Sequence, residues 1–157
     1  MDPIDPLHFT AALKTLLDET FNNVRGLYLD RGTSLFETLA GIDAATASIP
    51  VGGKCATLAA QVKHVAFFFD FTIASVKDPD MPPVDWSEIW RTIGAVSEAE
   101  WESIKTELRE SYNRILAFVD ATPAWPNEAY LAGGMAVVVH SAYHLGEIRQ
   151  ALCTLAP

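Results

Sequence analysis

The sequence predicts an all-α protein, a four-helix bundle with a long crossover between the second and third long helices. Apolar residues recur every three or four positions along four long segments, which is the period of helices with one buried side. No segment shows a convincing strand pattern. The 157 residues fit a single domain, over residues 1–157, and leave little room for a second one.

The first long helix is predicted to begin at Asp5, a favourable N-cap, with Pro6 in the first helical position. Gly26 is its expected end. Its apolar stripe consists of Phe9, Leu13, Leu16, Leu17, Phe21 and Val24.

A short helix is expected next, because Ser34 and Glu37 have the spacing of a capping box. Residues 43–53 are predicted to be irregular, since one proline and two glycines interrupt them.

The second long helix is expected over residues 54–76. Phenylalanines at 67–69 make this helix apolar around most of its circumference, which indicates that it is deeply buried or that it contributes a surface to an oligomer. The crossover, residues 77–96, contains three prolines. Asp85 and Glu88 have capping-box spacing and predict a short helix within it.

The third long helix is predicted to begin at Ser97, which forms a capping box with Glu100, and to stop at the prolines that follow residue 122. The fourth is expected over residues 127–155. Gly133 and Gly134 inside it each cost about 1 kcal/mol of helix propensity relative to alanine. Close helix packing is the usual reason for such glycines.

Charge and hydropathy exclude several classes of partner. The formal net charge is -9, which disfavours nucleic acid and anionic membrane surfaces. The apolar runs are too short to span a bilayer, and the N-terminal residues lack a signal-peptide pattern, so a cytoplasmic protein is expected.

Cys55 and Cys153 form no CxxC motif and are expected to be reduced thiols, although a disulfide between them remains an alternative.

The strongest chemical signal is the pair His140 and His144, which are four residues apart on a predicted helix and therefore share a face. His64 lies in the middle of the most apolar helix, whereas the fourth histidine, His8, lies near the start. A buried imidazole needs partners for both nitrogens, and a shared metal ion supplies one to each ring. Hydrogen-bonded core histidines are the alternative interpretation.

Other polar and aromatic residues are expected to be structural. Gln61 lies one turn before His64 and suits either a water contact or a polar helix edge. Tyr143 is expected to serve core or interface packing. The four tryptophans are expected to anchor the packing of the core and not to form a cage around a substrate; they are Trp86, Trp90, Trp101 and Trp125.

The chain resembles the DinB-like superfamily of bacterial four-helix-bundle metalloproteins. The family motif HxxxHxGxI is matched by His140-Ser-Ala-Tyr-His144-Leu-Gly146-Glu147-Ile148, and His64 stands where the family's first ligand is expected, in Gln61-Val62-Lys63-His64-Val65. The family's Trp-Ser type start of the second helix is replaced by Gly53-Lys54-Cys55-Ala56-Thr57. Glu147 stands where a Gln commonly precedes the final Ile.

The resemblance implies a divalent metal ion on His64, His140 and His144. Imidazole ligands suit zinc, nickel, copper or iron, and zinc or nickel is the expectation. Three histidines leave one coordination position open, as in catalytic sites. The family implies a thiol-linked transferase or related detoxifying enzyme, acting with bacillithiol, mycothiol or a similar small-molecule thiol on electrophiles, and a homodimer.

The role of Glu147 stays open among a catalytic base, a fourth ligand, a carboxylate that orients an imidazole, and a plain surface residue. Two alternatives to the enzyme also remain. One is a metal-binding protein without catalysis, and the other is a dimerisation module with a vestigial site.

Overall fold

The computed structural model describes residues 5–53, 55–78, 80–122 and 124–155. Over these residues the chain is all-helical, as predicted, with seven α-helices and no strand. The helices are α1 (Pro6–Phe21), α2 (Leu35–Ala40), α3 (Ala44–Ala47), α4 (Leu58–Lys77), α5 (Glu88–Thr92), α6 (Glu98–Asp120) and α7 (Glu128–Leu155). None of these helices is both long enough and apolar enough to cross a membrane.

The four longest helices, α1, α4, α6 and α7, surround one hydrophobic core. Helix α4 packs against α6 and α7, and α1 packs against the same two helices. Burial of each large core side chain stabilises the fold by roughly 1.5–3 kcal/mol. The almost fully buried members are Leu17, Phe21, Val65, Phe69, Leu108, Ile115, Leu145 and Ile148.

Helix α1 begins as predicted, because the Asp5 carboxylate accepts the N–H of Leu7 at 2.9 Å. The predicted end at Gly26 is wrong, since α1 stops at Phe21. The reason is the buried carboxylate of Glu19, which accepts four backbone N–H groups of the segment that follows. These donors turn the chain away from the helix axis, and they belong to Arg25, Leu27, Tyr28 and Leu29, at 2.8 to 3.2 Å.

The short helix after Ser34 is confirmed as α2, and the Ser34 N–H donates to the Glu37 carboxylate at 3.1 Å. The prediction that residues 43–53 are irregular is wrong in part. They contain α3, which Asp43 caps by accepting the Thr46 N–H at 2.8 Å, and a 3-10 turn at Val51–Gly53.

Helix α4 begins later than expected. Its N-cap is Thr57, whose hydroxyl accepts the Ala60 N–H at 3.1 Å. A hydroxyl cap of this kind satisfies a backbone donor that has no partner inside the helix. The predicted start at Lys54 lies outside the described residues.

The crossover does carry a short helix, α5, but the predicted capping box is wrong. Ser87 is the N-cap of α5, one residue before Glu88. The Asp85 carboxylate instead accepts the Ser87 N–H at 2.9 Å and an Arg91 guanidinium N–H at 2.7 Å. These contacts, with Arg91 first, hold the pKa of Asp85 well below its usual value.

The capping box at the start of α6 is confirmed, since the Ser97 N–H donates to the Glu100 carboxylate at 2.7 Å. Helix α6 ends at Asp120. The first of the two prolines predicted to stop it, Pro123, is not among the described residues.

The two glycines of α7 lie at close contacts. A Cβ atom on Gly134 would lie 2.8 Å from the ring of Trp125, and one on Gly133 would lie 3.2 Å from Val76 of α4. Real Cβ atoms essentially never approach as closely as 2.8 Å, so Gly134 requires glycine for this packing. At Gly133 a Cβ would need the Val76 side chain to shift by a few tenths of an ångström.

Candidate metal centre

Three histidines from two helices come together near one end of α4. His64 lies on α4, and His140 and His144 lie on successive turns of α7. Each ring offers one ligand nitrogen, and these atoms all lie within 4.8 Å of one another. His64 and His144 are buried and His140 is half-buried. The packing of α4 against α7 therefore brings together the three histidines that the sequence analysis predicted as metal ligands.

These imidazoles lack the hydrogen bonds that buried histidines normally make. His64 Nδ1, His140 Nε2 and His144 Nδ1 are each buried without a hydrogen-bond partner. Each unsatisfied buried polar atom costs about 1–3 kcal/mol. Three unsatisfied nitrogens on neighbouring rings do not fit the interpretation that these histidines are hydrogen-bonded core residues. A shared divalent ion removes this cost, and neutral imidazoles suit zinc and nickel.

The three rings are uncharged at neutral pH. Burial, reinforced by the neighbouring histidines, lowers the pKa of His140 to about 3, and burial with His64 lowers that of His144 to about 4. Burial also lowers the pKa of His64, against the opposing charge of Glu147. Deprotonated imidazole is the form that binds metals, so the site needs no proton release at neutral pH.

Aromatic rings hold the imidazoles in place. Phe68 stacks on His140 with ring centroids 3.8 Å apart, and Trp90 lies 4.5 Å from His64. The prediction that every tryptophan is a packing anchor suits Trp101 and Trp125, which are buried in the core. It stays a prediction for Trp90, which comes from the crossover and packs against His64 at the edge of the site. Nothing in the local sequence around position 90 indicates this contact.

An open hollow of about 440 Å³ lies beside the three histidines. Gln61 lines it, and its Oε1 atom is buried without a hydrogen-bond partner. Cys55 also lines it and is exposed. The local sequence gives one signal for this placement of Cys55, its position just before α4. Cys55 and Cys153 are both free thiols, as expected.

Glu147 and Tyr143 form the rim of the same hollow. The Oε2 atom of Glu147 lies 2.9 Å from Nδ1 of His144, but without the alignment of a hydrogen bond. Contact with the Glu147 carboxylate raises the pKa of Tyr143. The expected packing role of Tyr143 in the core is wrong, since its side chain is 61% exposed. The role of Glu147 stays a prediction.

Comparisons with protein-family models, with curated proteins and with solved structures found no significant match. The geometry of the three histidines therefore carries the functional argument.

Proposed function

We propose that His64, His140 and His144 bind one divalent metal ion, zinc or nickel, in this protein. The observation that carries the proposal is the orphaned, buried nitrogen on each of three adjoining neutral imidazoles. Donor atoms around a tetrahedral zinc ion are about 3.4 Å apart, given bonds of about 2.1 Å. In the structure the ligand nitrogens lie within 4.8 Å of one another, so they would draw together by up to about 1.4 Å around such an ion.

We also propose that α1, α4, α6 and α7 form a DinB-like four-helix bundle, with residues 78–97 as the crossover. The lengths of these helices, 16, 20, 23 and 28 residues, support this. So does the placement of the ligand motif on the second and fourth of them.

The proposed reaction is the transfer of a small-molecule thiol, of the bacillithiol or mycothiol kind, to an electrophile. A divalent ion held by three imidazoles supplies Lewis acidity that makes a thiol a stronger nucleophile at neutral pH. The hollow of about 440 Å³ beside the histidines provides room for a small substrate. Its contact with solvent allows a thiol and an electrophile to enter from the same side.

Residues around the hollow have separate proposed roles. The Glu147 carboxylate, on the rim of the hollow, would accept the thiol proton as a general base. The sulfur would then form a bond to the electrophilic carbon, and the leaving group, a halide in the case of an aryl halide, would depart with the electrons of the broken bond. The unpartnered Oε1 atom of Gln61 accepts a hydrogen bond from substrate. The Trp90 ring forms an apolar wall that orients the electrophile.

Metal content tests the binding proposal. Tag-free parent protein, incubated with zinc or nickel and dialysed, is compared by mass spectrometry with a His140→Ala/His144→Ala variant. His8→Ala serves as the matched control, because His8 is exposed on α1 and far along the chain from the site. Near-stoichiometric metal in the parent and the control, with loss in the double variant, is the expected result. A metal-free parent would contradict the proposal.

The transferase proposal needs a different measurement. Cobalt-substituted protein is titrated with a thiol while its visible absorption spectrum is recorded, and turnover is then assayed with a chromogenic aryl halide. A thiol-dependent spectral change together with turnover is expected. Full metal binding with no response to thiols would leave a metal-binding protein without catalysis.

A second candidate is a module that self-associates through α7. Met135, Val139 and Tyr143 recur every four residues on one side of α7 and are 51%, 67% and 61% exposed. Such a row suits a homodimer. Light scattering should then give a dimer mass for the parent and a monomer mass for Val139→Glu. A monomeric parent would rule this candidate out.

A further inference from the structure

A larger hollow, of about 850 Å³, lies away from the metal centre. It forms where the C-terminal ends of α4 and α6 meet the start of α7, and it shares no lining residue with the histidine site. Its volume falls within the range of small-molecule sites. The space exists because small side chains line it, and these are Ala74, Ala117, Ala121 and Ala124.

The hollow has an aromatic wall with one available positive charge. Phe118 and Tyr130 stack at a centroid distance of 6.0 Å, and the Lys77 Nζ atom lies 5.8 Å from the centroid of Phe118. No carboxylate of the described chain lies within ion-pair distance of Lys77. The neighbouring Asp78 carboxylate accepts the backbone N–H of Asp80 instead.

The second cation in the hollow is already neutralised. The Arg114 guanidinium donates two hydrogen bonds to Asp70, both of 2.8 Å, and one of 2.7 Å to the Ser111 hydroxyl. This bidentate pair already supplies the guanidinium of Arg114 with a negative partner. Lys77 is therefore the group left to recognise a negative charge.

One wall of the hollow flanks Trp125, a residue with an unusual backbone conformation. Trp125 has φ 43, a left-handed value that bulky residues rarely adopt, and its neighbours Ala124 and Pro126 line the hollow. The Trp125 Nε1–H donates to Thr10 Oγ1 at 2.9 Å. Its ring makes an edge contact with Phe9 at 4.6 Å. Strained residues held in this way are frequent at ligand-binding sites.

We propose that this hollow binds a small organic anion with an apolar body and a single carboxylate. The carboxylate pairs with Lys77, and the apolar body lies against Phe118 and Tyr130. Charge complementarity favours this occupant, because, among the described residues, Lys77 is the unpaired charge in a hollow whose other two charged side chains, Asp70 and Arg114, pair with each other. The proposal needs no metal, so it is independent of the function proposed for the histidines.

Calorimetric titration with decanoate tests the proposal on the full chain. Decanoate is expected to bind the parent, and decylamine, with the opposite charge, on the order of tenfold more weakly. Ala74→Trp fills the hollow and should weaken decanoate binding on the order of tenfold. Lys77→Gln removes the charge and should weaken it about threefold to fivefold, as expected for a solvent-exposed ion pair.

Two matched variants control for non-specific effects. Ala99→Trp adds the same bulk at the exposed, opposite end of α6, and Lys105→Gln removes another lysine that lies over an aromatic ring, that of Trp101. Both should bind decanoate like the parent, as should His140→Ala/His144→Ala. Circular dichroism confirms folding of every variant. No binding by the parent, or equal binding of decanoate by folded Ala74→Trp, would overturn the proposal.

Discussion

The Nδ1 atom of His144 lies 2.9 Å from the Oε2 atom of Glu147, one turn further along α7. The ring nitrogen nevertheless has no hydrogen-bond partner, because the carboxylate lies off the direction of an N–H bond. The carboxylate therefore lies beside the proposed ligands without a hydrogen bond to the ring, which suits the general base proposed for it and places negative charge next to a bound cation.

Glu147→Gln should weaken metal binding by roughly tenfold to a hundredfold, because an anionic group next to the ligands stabilises the bound cation. Competition with a chromogenic chelator measures the affinity. Glu128→Gln, on the same helix but at its exposed first turn, is the control and should bind like the parent. Unchanged affinity in Glu147→Gln would contradict a contribution of the Glu147 charge to metal binding.

Trp90 should report on occupancy of the site. Its ring centroid is 4.5 Å from that of His64, so a paramagnetic ion such as Co²⁺ bound there should quench its fluorescence strongly. Trp86 lies near the same ring, with centroids 6.0 Å apart, so the Trp86→Phe/Trp90→Phe double variant should lose most of the quenching. Trp125→Phe should retain it, since Trp125 packs against Phe9 elsewhere in the core. Equal quenching in the double variant and the parent would place the ion away from His64.

The glycines of α7 should respond in opposite directions to alanine. At Gly134 the added Cβ would meet the Trp125 ring at 2.8 Å, and overpacking of this kind costs about 1–3 kcal/mol. At Gly146 the Cβ meets nothing within 4 Å, so Gly146→Ala should gain about 0.5–1 kcal/mol of helix propensity. Urea unfolding of metal-free protein measures both. If Gly134→Ala were as stable as the parent, the Trp125 side chain would have to move away from the added Cβ atom at no cost in stability, which would contradict the overpacking.

The Asp70–Arg114 pair should make stability depend on pH. Burial raises the pKa of Asp70, but hydrogen bonds from Arg114 and Ser111 outweigh it, so the net pKa is lowered. A lowered carboxylate pKa contributes stability above the unfolded value of about 3.9, and this is lost as the pH falls through the folded value.

Asp70→Asn should therefore destabilise the protein at pH 7 by about 1 kcal/mol or less, because the Asp70 side chain is 39% exposed and screened. The difference from the parent should shrink as the pH falls below about 3.9. Urea unfolding at several pH values measures it. Asp120→Asn, which breaks the more exposed pair with Lys14, is the control and should change less. A difference that is the same at all pH values would contradict the ion pair.

The sequence predicted the start of a helix correctly where the capping side chain and the backbone group it binds lie within one helical turn. Asp5 and the Ser97–Glu100 box cap their helices as expected, since these bonds join residues three or fewer positions apart. The end of α1 was missed because Glu19 collects donors from a segment six to ten residues further on. The predicted capping box of Asp85 with Glu88 is wrong, because the Asp85 carboxylate accepts hydrogen bonds from Ser87 and from Arg91.

The sequence by itself determined the all-helical class and singled out three histidines, because helical periodicity and the spacing of His140 and His144 are local properties. The tertiary structure alone decided that His64 joins them, since this depends on how α4 packs against α7. It also brought Trp90 to the site. Contacts between residues far apart in the chain arise from packing, and no local pattern encodes them.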